Sequence, residues 1–128
     1  MERKVDENHP LRDTRVLIAE DEILIALDLE AAFRDAGAEV VGPFMTLTEA
    51  LTAAESERVS IAILDIRLGT ATTEAVSDLL TKRGIPFLFY SGQRLTPEMQ
   101  RKCGDAVLID KPAKQEDLVG AAVGILAA

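Results

Sequence analysis

The sequence predicts an α/β domain built on a doubly wound, five-stranded parallel sheet. Three observations predict it. From Arg15 onward, short β-branched runs alternate strictly with amphipathic stretches at helical spacing. Those stretches are long enough to serve as crossovers between parallel strands. The 128 residues, 48% of them apolar, suffice for one domain with a real core and leave no room for a second.

Residues 1–14 are polar, half charged and without periodicity, and read as a mobile arm that includes His9. The domain proper is expected over 15–128. Val16-Leu17-Ile18-Ala19 forms a buried first strand, followed by a helix carrying Ile25, Leu29, Ala32, Phe33 and Ala36 on one face. Gly37 supplies its left-handed stop. A second strand covers Glu39 to Val41, and Thr46 with Glu49 makes a capping box that opens a helix to about Glu57. The third strand is Ser60 to Leu64. A loop containing Gly69 leads to a helix with Val76, Leu79 and Leu80 inward and Gly84 at its end. Pro86 to Tyr90 is the fourth strand, with its proline tolerable only at the first position. Thr96-Pro97 caps and starts a short helix to about Cys103. Val107-Leu108-Ile109 is the fifth strand, and Leu118, Ala121, Ala122 and Ile125 line the last helix. Five β–α units of this size are most simply flavodoxin-like, with strand order 2-1-3-4-5 and helices on both faces.

Composition removes several function classes. Twenty-two acidic residues against 14 basic give a net charge of −8 and a pI near 4.6, a field that repels nucleic-acid backbones. A lone Cys103 excludes a disulfide framework or a cysteine-rich metal site. No apolar run approaches the ~20 residues that span a bilayer, and no apolar signal core follows the N-terminal charges. A cytoplasmic protein with neither nucleic-acid nor membrane partners is expected.

In such sheets the functional crevice lies beyond the carboxyl ends of the strands, where strand order reverses. Those ends carry Glu20-Asp21-Glu22, Asp65, Ser91-Gly92 and Asp110-Lys111-Pro112. Glu20, Asp21 and Asp65 should converge. Two carboxylates ~5 Å apart repel by roughly 3 kcal/mol at an effective dielectric of about 20, so three mutual pairs approach ~10 kcal/mol. Raised pKa values, a cation, or both must compensate. Two or three hard oxygen ligands fit Mg2+ better than a calcium cage. With Lys111 as ammonium and Ser91 as hydroxyl donor, the set matches the needs of in-line phosphoryl transfer to a carboxylate. Singly, each piece has a plainer reading: Glu20-Asp21 as solvated helix-start residues, Asp65 and Ser91-Gly92 as turns. Four strand ends together carry the argument.

At these residues the chain resembles a bacterial two-component response-regulator receiver domain. The matching segments are VLIAEDE (16–22), ILDIRLG (63–69), FLFYSGQ (87–93) and LIDKP (108–112). The resemblance implies Asp65 as phospho-acceptor, Asp21 as direct Mg2+ ligand, Glu20 as ligand through water and the backbone carbonyl of Arg67 as a further one. It implies Ser91 and Lys111 as partners of the phosphoryl group. The donor it implies is a histidine kinase or phosphotransfer protein, or a small molecule such as acetyl phosphate. Residues 86–92 further resemble a subfamily with a Phe-Ala-Thr-Gly-x-Tyr motif, in which Tyr90 replaces Ala, Ser91 replaces Thr and Arg94 replaces Tyr. The aromatic residue usual three positions before the lysine is Leu108, and the usual Phe after Lys-Pro is Ala113. Tyr90 reads equally as a substitute for that aromatic or as plain packing.

The expected function is a stand-alone receiver in a phosphorelay. It signals by docking on a downstream protein or acts as a phosphate sink, as a monomer or phosphorylation-dependent dimer, with slow self-dephosphorylation and no external substrate. The alternative is a degenerate receiver working only as an interaction module. A phosphohydrolase of the haloacid-dehalogenase type is disfavoured, because it needs Asp-x-Asp directly after the first strand, where Glu20-Asp21-Glu22 stands.

Overall fold

The computed structural model describes residues 8–128. Its order is β1 (Arg15–Ala19), α1 (Ile23–Asp35), β2 (Glu39–Phe44), α2 (Leu47–Ser56), β3 (Ile61–Leu64), β4 (Arg67–Leu68), β5 (Ala71–Thr72), α3 (Glu74–Arg83), β6 (Phe87–Ser91), α4 (Pro97–Cys103), β7 (Val107–Asp110) and α5 (Gln115–Ala127). Five strands form one parallel sheet in the order β2-β1-β3-β6-β7. With the small β4–β5 ladder set aside, this is the predicted 2-1-3-4-5 arrangement.

All four residues of β3 are buried, as a central strand covered on both faces requires. Successive side chains point to opposite faces, so the core divides in two. Leu17, Ala19, Leu64 and Phe89 pack toward α2, α3 and α4 with Ala50, Ala54, Leu80 and Met99. Val16, Ile18, Ile63, Leu88 and Tyr90 pack toward α1 and α5 with Leu29, Phe33, Leu118 and Ala122. Helix ends follow local chemistry: Thr46 and Thr96 accept the N–H groups of Glu49 and Met99, and Gly84 stops α3 in the left-handed region.

Three features differ from the sequence expectation. The second strand runs to Phe44 rather than Val41. Gly42, at φ +103°, turns the chain where a Cβ would meet Ile18 O at 2.9 Å, and the Gly42–Pro43 peptide is cis. The extension matters because Phe44 O accepts the N–H of Glu20 at 2.9 Å. The arm expected to be mobile is docked over its described part. Leu11 is buried in the α1/α5 core, and its N–H donates to Ala36 O at 2.8 Å. Burying a leucine offsets the cost of ordering this turn. The remainder of the arm, residues 1–7, lies outside the described residues. Finally, the loop after β3 contains the antiparallel β4–β5 ladder, with Gly69 at φ +63° at its tip.

Candidate functional site at the carboxyl edge of the sheet

Strand register assembles the site. Ala19 pairs with Leu64, so the residues that follow, Glu20 and Asp65, leave the sheet side by side, and Asp65 N–H donates to Ala19 O at 3.0 Å. Ser91 pairs with Asp110, and Lys111 N–H donates to Ser91 O at 3.1 Å, which places Lys111 beyond the same edge. Every strand end singled out in the sequence therefore contributes to one place.

Asp65 lies between two donors. Ser91 Oγ donates to its Oδ1 at 2.6 Å, and Lys111 Nζ donates to its Oδ2 at 2.9 Å. The same ammonium sits 2.8 Å from Glu20 Oε1, off the hydrogen-bonding direction, so this is an ion pair that leaves the buried oxygen without a hydrogen bond. Glu20 Oε2 accepts the N–H of Glu22 at 3.1 Å. Asp21 Oδ2 accepts the N–H of Gly69 at 2.7 Å, from the tip of the β4–β5 hairpin. Asp65 is 7% exposed, while Glu20 and Ser91 are fully buried. A cleft of about 230 Å³ opens over these groups, lined by Asp21, Asp65, Arg67, Gly69, Gln93 and Lys111. At its rim Arg67 Nε donates to Gln93 Oε1 at 3.1 Å.

The electrostatics follow from burial. Desolvation pushes the Glu20 carboxyl up to about 7, against the opposing pull of Lys111 and the Glu22 N–H. Burial works against the Lys111 charge, but the attraction of the Glu20 and Asp65 carboxylates outweighs it and holds the ammonium above its ordinary value. One ammonium thus faces two carboxylates. Oxygen atoms of Glu20, Asp21 and Asp65 all lie within 4.8 Å of one another. A compact set of hard oxygens, one of them buried and short of a hydrogen bond, suits a small divalent cation.

No protein-family model matches the chain. It is 42% identical over 105 residues to the phyllosphere-induced regulator PhyR of Methylorubrum extorquens, aligning 77% of itself with 38% of that protein. It superposes on the solution structure of SdrG from Sphingomonas melonis with a TM-score of 0.76 at 32% identity, over 90% of this chain and 97% of that one. A response regulator receiver protein from Sinorhizobium medicae shares the fold at a TM-score of 0.77 and 23% identity, over 90% and 95% of the two chains. The chain belongs to the response-regulator receiver family. This receiver spans well under half the length of PhyR. Receiver-domain regulators are signalling proteins rather than classical enzymes. Among the described residues of this one, no helix is long and apolar enough to cross a membrane.

Two contributors to the receiver site were not singled out from sequence. Thr73, fully buried, donates through Oγ1 to the backbone carbonyl of Asp65 at 2.7 Å. A threonine ahead of α3 reads as an N-cap, but its hydroxyl is spent on Asp65 and makes no cap bond. Gly69 contributes a backbone N–H, which side-chain patterns do not reveal. Tyr90 does not take the place of the aromatic missing at Leu108. Leu108 pairs with Phe89 and opens toward α4, whereas Tyr90 lies on the opposite face of the sheet, in the α1/α5 core.

Proposed function

We propose that this receiver accepts a phosphoryl group on Asp65 and signals through protein–protein contact or drains phosphoryl groups from a donor. The observation that carries the reading is the Asp65 carboxylate held between Ser91 Oγ and Lys111 Nζ at the floor of an open, acid-lined cleft. A lone pair of that carboxylate attacks phosphorus. The new P–O bond forms as the bond from phosphorus to the donor breaks, and the donor departs with its bonding electrons as free imidazole or acetate. Ser91 and Lys111, already within 3 Å of Asp65, then bond to the phosphoryl oxygens. These charge-assisted contacts favour the modified state and bias the neighbouring surface between two arrangements.

Mg2+ is the proposed cation. Asp21 and Asp65 would hold it directly, Glu20 through water and Arg67 through its backbone carbonyl, and it would neutralise charge on the transferring group. A histidine kinase or phosphotransfer protein is the proposed donor, in a cytoplasmic setting, with no nucleic-acid partner. The first turns of α1 support a protein donor: Ile23, Leu24 and Leu27 are 54%, 74% and 50% exposed, directly after Asp21. Slow self-dephosphorylation is expected, with Arg67 and Gln93, joined at the cleft rim, standing where water would approach Asp65.

Intact-mass measurement after incubation with acetyl phosphate and Mg2+ tests this reading. One added phosphoryl group, absent in Asp65→Asn, is the expected result. No gain in the native chain would leave a phosphorylation-independent interaction module.

A further inference from the structure

We infer that Tyr90 is a positioning residue for Lys111, holding the ammonium over the acceptor carboxylate from the α1/α5 side of the sheet. The inference rests on the proposed role of Asp65 and adds a residue to it. Tyr90 is the penultimate residue of β6 and is 6% exposed. Its hydroxyl accepts the N–H of Ala113 at 3.0 Å, which ties β6 to the β7–α5 loop just past Lys111-Pro112. Its ring lies 5.7 Å from Lys111 Nζ, within the range of a cation–π contact. The lysine side chain is thus fixed at both ends, by the loop that Tyr90 anchors and by the ring beside its charge.

Plain packing does not account for this arrangement. A leucine would fill the hydrophobic side of the site but would bond neither Ala113 nor the ammonium. Room for misplacement is present, because a cavity of about 180 Å³ lies beside the ring and is lined in part by Lys111, Pro112 and Ala113. Without the ring, Lys111 gains space to swing away from Glu20 and Asp65. Adjacent residues of one strand therefore divide the work: Ser91 bonds the acceptor directly, and Tyr90 steadies the cation that faces it.

The test compares Tyr90→Leu, Tyr90→Phe and Leu118→Ala, each in the native and the Lys111→Met backgrounds. Two measurements are made: the rate of phosphoryl gain from acetyl phosphate with Mg2+, and the urea midpoint. Tyr90→Leu should slow labelling about tenfold, inside the ~100-fold that a misplacement of about 1 Å can cost. Tyr90→Phe, which keeps the ring, should slow it less. Leu118→Ala, which perturbs the same core and cavity but keeps the Tyr90 ring and its bond to Ala113, should leave the rate per folded molecule unchanged. In the Lys111→Met background, Tyr90→Leu should cost nothing further, and Lys111→Met should shift the urea midpoint less when Tyr90 is already leucine. An equal rate loss with or without Lys111, or a matching loss in Leu118→Ala, overturns the inference. If the native chain gains no phosphoryl group, the proposed function fails. The urea cycle then decides the positioning claim alone, with strict additivity overturning it.

Discussion

Titration of Glu20 should make the cation-free receiver less stable as pH rises through neutrality. Its carboxyl is raised from 4.5 to about 7 because burial disfavours its charge. Between those values the folded chain keeps a proton that the unfolded chain has released. Stability is therefore greatest below the unfolded value and is lost as pH rises through the folded one. At about 1.4 kcal/mol per pH unit the whole gap amounts to about 3 kcal/mol, of which about 2–3 kcal/mol falls between pH 5 and 8. For a urea dependence of about 1–3 kcal/mol per molar, the midpoint should drop by roughly 1–3 M over that interval. The assay is urea unfolding with a chelator present, at several pH values, on the native chain and on Glu20→Gln. Subtracting the two series removes the titration of every group that does not interact with Glu20. The native midpoint should fall relative to the variant, and added Mg2+ should flatten the difference, because a bound cation favours the ionised carboxylate. Parallel curves for the two chains, or native stability rising from pH 5 to 8, would refute the reasoning.

Leu24→Asp should slow transfer from a phosphorylated protein donor while leaving labelling by acetyl phosphate intact. Its 74% exposure keeps the change in stability within about 0.5 kcal/mol, checked by urea unfolding. Thr73→Val should cost about 1–3 kcal/mol by orphaning the buried Asp65 carbonyl, with Thr73→Ser restoring most of it, again read from urea midpoints. Gly42→Ala should destabilise by more than about 1 kcal/mol, since it combines a positive φ with a Cβ 2.9 Å from Ile18 O, and thermal unfolding reads the loss. Phe33→Ala, at a fully buried position, should cost about 3–5 kcal/mol in the same assay without altering the labelling rate of the fraction that remains folded.

The periodic parts of this molecule were legible because burial imposes the period. Val16 to Ala19 and Ile61 to Leu64 are continuous apolar runs because both faces of their strands are covered. The residues of the candidate site were legible for a related reason: a parallel sheet gathers its strand ends at one edge, so Asp21, Asp65, Ser91 and Lys111 needed only to be read off those ends. What escaped was set by backbone geometry. The run of β2 past Val41 depends on the positive φ of Gly42, and the grip of Gly69 on Asp21 is a main-chain bond. Leu11 stood alone among polar neighbours, and one buried side chain makes no periodic pattern. The sidedness of Tyr90 was within reach of the sequence, since Phe89 and Tyr90 must face opposite ways and Leu108 pairs with Phe89.

The amide of Gly69 gives a solvent-facing turn an uncommon kind of constraint. Nothing lies within 4 Å of where a Cβ would sit on that glycine, so the tip of the turn is itself unpacked. Its reach is dictated instead by an anion 48 positions earlier in the chain, which takes a 2.7 Å bond from its tip. Inserting even one residue there would withdraw a donor from Asp21 and be felt as a redistribution of negative charge inside the cleft.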